Sequence, residues 1–211
     1  PNGGVRLFLN TFKYTPAMVD CRLCTEYRKP RGCTMRGGCP WLAERIEAGV
    51  VGYAEALLES FPENKRLAAR LHMAVQLFFG SLWLDKQHKQ RWDYLMARFR
   101  YSKRRKDTAK YYAVMYLFAA SRELNRLTIN CIERQSIDLT WANIAEMSDG
   151  DYTLFAAARS IAVDNIGRLL QRLEDISAVG LSEFCLIVNA LLIYRYGLAA
   201  LDIREKTVKR E

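Results

Sequence analysis

The chain has 211 residues, of which 50% are hydrophobic and 26% are charged, and this composition indicates a folded globular protein and excludes a disordered one. Its most apolar stretch, residues 184–194, is interrupted by Asn189 and followed by Arg195, so the sequence predicts no transmembrane span. The net charge of +9 comes from the first half, because residues 1–110 carry 21 Lys and Arg against 10 Asp and Glu, while residues 111–211 have a net charge of −2.

The N-terminal segment predicts a short strand followed by loops. Residues 1–12 lack the basic region, apolar run and cleavage site of a secretory signal, so we expect a reducing, cytoplasmic compartment. Val5, Leu7 and Leu9 share one parity, which predicts one or two short strands that open the chain within residues 5–14. The next thirty residues are rich in cysteine, glycine, proline and arginine and predict loops.

Four cysteines in this loop region predict a metal site. Cys21, Cys24, Cys33 and Cys39 have the spacing C-x2-C-x8-C-x5-C, and the first pair can bring two thiolates from one tight turn to a single ion. Four thiolates leave no open position for water, so the predicted ion is a structural zinc. An iron–sulfur cluster, reduced thiols and disulfides are the alternatives. The flanking basic residues would offset the charge of the centre or contact phosphate; they are Arg22, Arg28, Lys29, Arg31 and Arg36.

From Pro40 onward the hydrophobic pattern is helical. Pro40 suits the first position of a helix that Gly49 ends, and a second short helix is predicted over residues 53–60. Ser60 and Glu63 fit a capping box that begins a long amphipathic helix. Its apolar face carries Leu67, Leu71, Ala74, Val75 and Phe78. Further helices are predicted from residue 108 to about 132 and over residues 141–147, 152–164, 166–177 and 182–201.

Two features of the helical region bear on packing. A polar stretch, residues 85–91, precedes an apolar group at Trp92, Leu95, Met96 and Phe99, so either one helix continues through solvent or two helices meet there. Cys131 and Cys185 stand singly in apolar segments and are predicted core residues.

Residues 86–110, the basic segment, hold ten Lys and Arg against two Asp. Such a surface, with Tyr94 and Tyr101 as candidate stacking residues, is typical of a site that binds nucleic acid, and solvated charge on a helix face is the alternative. The segment lacks an exposed apolar face, so no membrane binding is predicted. The predicted nucleic-acid-binding residues are Lys86, Lys89, Arg91, Arg98, Arg100, Tyr101, Lys103, Arg104, Arg105, Lys106 and Lys110.

Catalytic motifs do not occur in the sequence, and a non-catalytic protein is predicted. The two histidines, His72 and His88, have no catalytic motif beside them, and the common phosphate-binding and hydrolase motifs do not occur. Residues 139–159, LTWANIAEMSDGDYTLFAAAR, resemble the helix-turn-helix of sigma-like regulators. The implied reading helix begins at Asp151 and has only Arg159 as a basic residue, so ordinary core-packing helices are the favoured interpretation.

Two blocks carry a further resemblance: residues 9–24, LNTFKYTPAMVDCRLC, and residues 39–57, CPWLAERIEAGVVGYAEAL. Together they resemble the start of small proteins carried by conjugative elements and prophages of gut Firmicutes, over about the first sixty residues. Some small proteins of such elements are anti-CRISPR inhibitors that bind Cas nucleases or their nucleic acids. The resemblance implies a mobile-element accessory protein.

The combined expectation is a mainly α protein, a multi-helix bundle with a small N-terminal strand and loop module of four cysteines that binds zinc. Residues 1–60 form that module with short helices, and residues 61–211 form an all-helical domain. The expected function is non-catalytic binding of nucleic acid, DNA or RNA, or of a nucleoprotein complex such as a Cas effector. An inhibitor that docks directly on a Cas nuclease and a helix-turn-helix regulator are the alternatives. The near-neutral second half, with its apolar residues 181–201, also makes a self-associating or partner-bridging module a hypothesis.

Overall fold

The structure is a computed structural model that describes residues 12–35, 39–62, 64–99 and 108–205. Within these residues the chain is mainly helical, as the sequence predicts, and it has one two-stranded antiparallel sheet. The strands are β1 (Tyr27–Arg28) and β2 (Gly32–Cys33). The α-helices are α1 (Leu42–Glu47), α2 (Tyr53–Ser60), α3 (Ala68–Gln76), α4 (Lys86–Arg98), α5 (Thr108–Phe118), α6 (Arg122–Thr128), α7 (Asp149–Ala162), α8 (Ile166–Glu174) and α9 (Leu181–Tyr196).

The first elements test the predictions for the N-terminal half. Residues 5–11 of the strand predicted within residues 5–14 lie outside the described residues. The β1–β2 hairpin lies in the segment for which the sequence predicts loops. The predicted helix before Gly49 is confirmed as α1, and Gly49 has φ +71°, a left-handed conformation that favours glycine after a helix. The helix predicted over residues 53–60 is confirmed as α2.

The predicted capping box at Ser60 is wrong, because Ser60 ends α2 and α3 begins only at Ala68. The Ser60 hydroxyl donates to the Ala56 carbonyl oxygen at 2.6 Å and lies 2.8 Å from the Tyr196 hydroxyl. Glu63, the other half of the box, lies outside the described residues. The Ser60 hydroxyl therefore joins α2 to the end of α9, and it does not cap a following helix as the local motif predicts.

The alternatives left open at residues 85–91 are decided in favour of two helices. α3 ends at Gln76, and α4 begins after Asp85, whose carboxylate accepts a hydrogen bond from His88 N–H at 2.6 Å. Trp92 and Leu95 of α4 are buried, as their spacing predicts. The polar stretch is thus the first half of a new helix and not a solvated middle of a long one.

Two predicted helices differ from the structure in the segment after α5. α5 ends at Phe118 instead of continuing to about residue 132, because Ser121 caps α6 by accepting a hydrogen bond from Leu124 N–H at 2.9 Å. The helix predicted over residues 141–147 is wrong, since these residues form parts of two 3₁₀ turns, Leu139–Trp141 and Ile144–Glu146. The helix-turn-helix interpretation therefore lacks its first helix in the described structure.

The core is built around α5 and α9, which pack on each other and are flanked by α7, with α2 and α3 against α9 and α4 against α5. Leu181–Asp202 is the segment of the described chain that is long and apolar enough to span a membrane by length and composition, and 61% of its apolar window is buried inside the protein. Neighbours on several sides of α9 account for its apolar composition. The core cluster includes side chains from both sides of residue 60, such as Leu57 and Leu71.

Buried polar side chains link the central helices. The Tyr53 hydroxyl on α2 donates to Asn189 Oδ1 on α9 at 2.7 Å, and Asn189 Nδ2 lies 3.5 Å from the Tyr116 hydroxyl on α5. The Tyr116 hydroxyl in turn donates to the Leu82 carbonyl oxygen in the α3–α4 loop. Asn189, which interrupts the most apolar stretch of the sequence, is therefore a hydrogen-bonded member of the core.

His88 is completely buried between α4 and α5 and is held by two backbone groups. Its Nδ1 accepts a hydrogen bond from Leu84 N–H at 3.3 Å, so its Nε2, 2.9 Å from the Tyr116 carbonyl oxygen, carries the proton and donates. Burial lowers the pKa of His88 from 6.5 to about 4, and protonation of Nδ1 would break the bond from Leu84.

We expect the stability of the protein to fall as the solution is acidified through this range. The unfolded chain binds the His88 proton near pH 6.5 and the folded chain only near pH 4, so the contribution to stability is present above pH 6.5 and is lost as the pH falls towards 4. The loss attributable to His88 is about 3 kcal/mol. Urea unfolding between pH 7 and pH 4 measures it, with H88Q as the control that lacks the titrating ring. Parallel stability curves for the two proteins would contradict the prediction.

Candidate cysteine centre and basic surface

The first two cysteines lie on a 3₁₀ turn, Cys21–Leu23, that leads into the hairpin. The Asp20 carboxylate starts the turn by accepting a hydrogen bond from Arg22 N–H at 2.9 Å. Cys24 N–H then donates to the Cys21 carbonyl oxygen at 3.0 Å. Side-chain and backbone hydrogen bonds from Arg22 hold the pKa of Asp20 below its usual value. The C-x2-C spacing therefore forms the tight turn that the sequence predicts.

The third cysteine lies on the second strand of the hairpin. Cys33 pairs with Tyr27, and Arg28 pairs with Gly32, whose φ is +76°. After β2, the Thr34 side chain donates to the Glu26 carboxylate at 2.7 Å and to the Glu26 carbonyl oxygen at 3.1 Å. The hairpin thus places Cys33 on β2, opposite Tyr27 of β1, which lies three residues after Cys24.

All four predicted zinc ligands line one cavity of about 380 Å³; they are Cys21, Cys24, Cys33 and Cys39. They are free thiols, and Cys33 is the exposed one. Within residues 12–35, 39–62, 64–99 and 108–205, no three His, Cys, Asp or Glu side chains are close enough together to hold one metal ion. The structure therefore brings the four cysteines to one cavity without gathering their sulfur atoms at a single point.

The wall of this cavity contains an ion-pair network from α1 and α2. Glu59 Oε2 accepts a hydrogen bond from Cys39 N–H at 3.2 Å and lies 3.4 Å from Arg45 Nη1. Arg45 Nη2 pairs with the Glu55 carboxylate. Arg45 is 8% exposed, and its Nε is one of three buried side-chain atoms of the described residues that have no hydrogen-bond partner. One cysteine of the set is therefore tied to the helices through Glu59.

The electrostatics of Arg45 reflect its position beside the cysteines. Burial by itself lowers the pKa of Arg45, but the Cys39 side chain and the Glu55 carboxylate outweigh burial and raise the pKa above its usual value. Sequence reasoning missed Arg45 as a site residue. The signal was present, because Leu42, Arg45 and Ile46 fall at helical spacing and so place an arginine on the buried face of α1.

The turn of the hairpin carries a compact positive charge, which we call the basic tip: Arg28, Lys29 and Arg31. All three side chains are exposed, and no ion pair within the described residues involves any of them. The nearest acidic groups along the chain have partners of their own, since Asp20 pairs with Arg22 and Glu26 is bonded to Thr34. The basic tip therefore presents three exposed cations on four consecutive residues, none of them in an ion pair with another described residue.

The basic segment differs, because several of its described residues hold the fold together. Arg91 donates to the Ala119 and Ala120 carbonyl oxygens at 2.6 and 2.9 Å, and Arg98 Nε donates to the Ile132 carbonyl oxygen at 3.0 Å. Lys110 and Lys89 form ion pairs with Asp164 at 2.9 Å and with Asp93 at 2.7 Å, respectively. Lys86 is exposed on the first turn of α4. The other predicted binding residues lie outside the described residues; they are Arg100, Tyr101, Lys103, Arg104, Arg105 and Lys106.

Several sequence predictions for buried side chains agree with the structure. Trp92 and Phe99 are buried, as predicted, and Tyr94, one of the two candidate stacking residues, is 57% exposed. Cys131 is fully buried, and Cys185 packs against the core. Burial raises the pKa of both thiols, which favours their protonated form.

Comparison of the chain with protein-family models, with curated proteins and with solved structures finds no significant match. A function therefore has to be inferred from the residues of the chain itself. Two features stand out: the cavity lined by four cysteines and the basic tip, which are joined because the same short hairpin carries Cys33 and all three basic residues.

Proposed function

We propose that the protein binds nucleic acid, alone or as part of a nucleoprotein complex, without catalysing a reaction, and that the basic tip makes the principal phosphate contacts. The observation that carries this proposal is the exposure of Arg28, Lys29 and Arg31 with no acidic partner among the described residues. Cations of this kind release counterions when they contact a phosphate backbone, and that release favours binding.

The tip is better suited to this role than the described part of the basic segment. Arg91 and Arg98 donate to backbone carbonyls and Lys110 pairs with Asp164, so phosphate would have to compete with existing contacts. Among the described residues, the tip side chains have no such contacts to lose. Lys86 and Tyr94 on α4 remain exposed and could add a phosphate contact and a stacking surface.

We further propose that Cys21, Cys24, Cys33 and Cys39 bind one structural zinc ion. The shared cavity and the tight turn at the first pair support this proposal. When bound, the ion would cross-link the turn, the hairpin and the start of α1, and so hold a segment that contributes little to the core. An iron–sulfur cluster would use the same thiolates and would make the protein coloured, which distinguishes it from zinc.

One experiment tests both proposals on the same sample. Binding to labelled duplex DNA, single-stranded DNA and structured RNA is measured across a salt series, and metal content is determined alongside. We expect one zinc per chain, and a log affinity that falls with log salt with a slope of about −3 or steeper if at least three phosphates are contacted. Absence of binding to all three probes at low salt would overturn the nucleic-acid proposal, and metal-free protein with unchanged stability in chelator would overturn the zinc proposal.

A second candidate, direct docking on a protein such as a Cas nuclease, is supported by exposed apolar side chains next to the cysteines. Leu23 is 76% exposed and Trp41 is 56% exposed, and both line a cavity of about 370 Å³ beside Cys21 and Cys24. Exposed apolar side chains beside positive charge are typical of protein contacts. In the salt series this candidate predicts weak binding to every free nucleic acid. A pull-down with nucleic-acid-guided nucleases is then the direct test.

A further inference from the structure

An arginine is buried at the wall of the cysteine cavity, and one of its donors has no acceptor. Arg45 lines both the 380 Å³ cavity that contains all four cysteines and the 370 Å³ cavity that contains Cys21, Cys24 and Cys39. Its side chain is 9% exposed, and its Nε has no hydrogen-bond partner within the part of the chain that the structure describes. A buried donor without an acceptor is unfavourable, so such a group calls for an explanation, and an acceptor supplied in the functional state is one.

The carboxylates around Arg45 occupy only the outer nitrogens of its guanidinium. Glu55 pairs with Nη2 and Glu59 lies 3.4 Å from Nη1. The same Glu59 oxygen accepts the Cys39 N–H, so the backbone of one cysteine and the orientation of the guanidinium depend on one carboxylate. This arrangement leaves Nε–H without a partner among the described residues, in a side chain that lines the same cavity as the four cysteines.

Zinc-bound thiolates need donors of this kind. Sulfur ligands keep much of their negative charge after they bind zinc, and hydrogen bonds from neighbouring groups stabilise that charge and orient the ligands. The planar guanidinium suits the task, because it can bond two carboxylates through its outer nitrogens while its Nε–H stays directed elsewhere. A lysine ammonium supplies the charge without that fixed division of donors.

We infer that Arg45 is the positioning residue of the zinc site, donating a hydrogen bond to the cysteine thiolates while Glu59 anchors Cys39. This inference rests on the proposed zinc site and names its outer partner. It explains why an arginine occupies the buried face of a short helix that is otherwise lined by Leu42 and Ile46.

The test uses the full chain and compares two buried arginines. R45M removes the donor beside the cysteines. R70M removes a second arginine, which is 5% exposed and donates to the backbone carbonyls of Leu173 in α8 and of Val179 before α9. Zinc affinity is measured by competition with a chromophoric chelator. Cobalt substitution gives the sulfur-to-metal charge-transfer band, and urea unfolding of the metal-free proteins gives their stability.

We expect R45M to lower zinc affinity by about 10- to 100-fold, as the loss of an outer partner does in other sites, and to move the cobalt charge-transfer band to lower energy. R45K, which keeps the charge, is expected to recover part of the affinity. R70M is expected to lose stability but to keep its zinc affinity within about threefold, because distant sites act independently.

Each outcome decides the inference. Wild-type affinity and an unshifted band in R45M would overturn it while leaving the zinc proposal intact. A wild-type protein that binds no zinc would overturn the zinc proposal first, and the inference with it, before any variant is examined. If R45M does not fold, E59Q decides, because glutamine can still accept the Cys39 N–H but no longer forms an ion pair with Arg45; unchanged zinc affinity in both E59Q and R45K would overturn the inference.

Discussion

Reversing the charge of the basic tip in the variant R28E/K29E/R31E is expected to weaken nucleic-acid binding by about 100-fold at low salt and to reduce the slope of log affinity against log salt by about 3. The reason is that each of the three exposed cations contacts a phosphate and releases a counterion in the proposed complex. Stability should change little, because these side chains form no ion pairs within the described residues. Fluorescence anisotropy across a salt series measures both quantities.

Two further variants show whether the site or only the net charge matters. K65E/R134E/R168E makes the same change in net charge at three exposed positions outside the hairpin and should reduce affinity much less. R104E/R105E tests the basic segment, whose central residues lie outside the described structure. Equal losses in the tip variant and in K65E/R134E/R168E would mean that overall charge accounts for binding. A loss in R104E/R105E with none in the tip variant would place the contacts in the basic segment.

Replacing Arg70 by methionine is expected to destabilise the protein by about 3 to 5 kcal/mol, one of the larger effects of a single substitution. Arg70 on α3 donates to the Leu173 carbonyl oxygen at 2.7 Å, and its Nη2 donates to the Val179 and Gly180 carbonyl oxygens at 2.5 and 3.3 Å. Its guanidinium also lies 4.2 Å from the centre of the Phe184 ring. Methionine fills similar space but leaves the carbonyl oxygens of Leu173 in α8 and of Val179 and Gly180 before α9 without their donor.

Arg66 provides the matched control, because it joins the same two parts of the fold at the surface. Its side chain is 83% exposed and pairs with Glu174 of α8 at 3.0 Å. Exposed pairs contribute little, so R66M should change the free energy of unfolding by less than about 1 kcal/mol. Urea unfolding followed by circular dichroism measures both variants. An R70M protein as stable as R66M would show that the carbonyls find other donors or water.

The sequence by itself determined the helical class, the bounds of α2, the end of α1 at Gly49 and the turn at Cys21 and Cys24. These features are local, because they depend on periodicity, on a glycine in the left-handed region and on spacing within a few residues. The buried residues of α4 followed for the same reason, since Trp92 and Leu95 repeat at helical spacing. The uneven distribution of charge along the chain is likewise a property of the sequence alone.

The tertiary structure alone decided which polar side chains form hydrogen bonds or ion pairs within the described part of the protein and which do not. Ser60 is not the predicted helix cap, and its hydroxyl instead contacts the hydroxyl of Tyr196, which is 136 residues away in the chain. His88 is buried in the core, where its ring contacts the Tyr116 carbonyl oxygen. Arg91 donates to the Ala119 and Ala120 carbonyl oxygens just after α5. An amphipathic pattern records that a residue is polar but not which distant group it will meet. The sequence already places Arg28, Lys29 and Arg31 among the residues that could contact phosphate, but only the structure shows that they have no ion-pair partner among the described residues and that Arg45 is buried beside the cysteines.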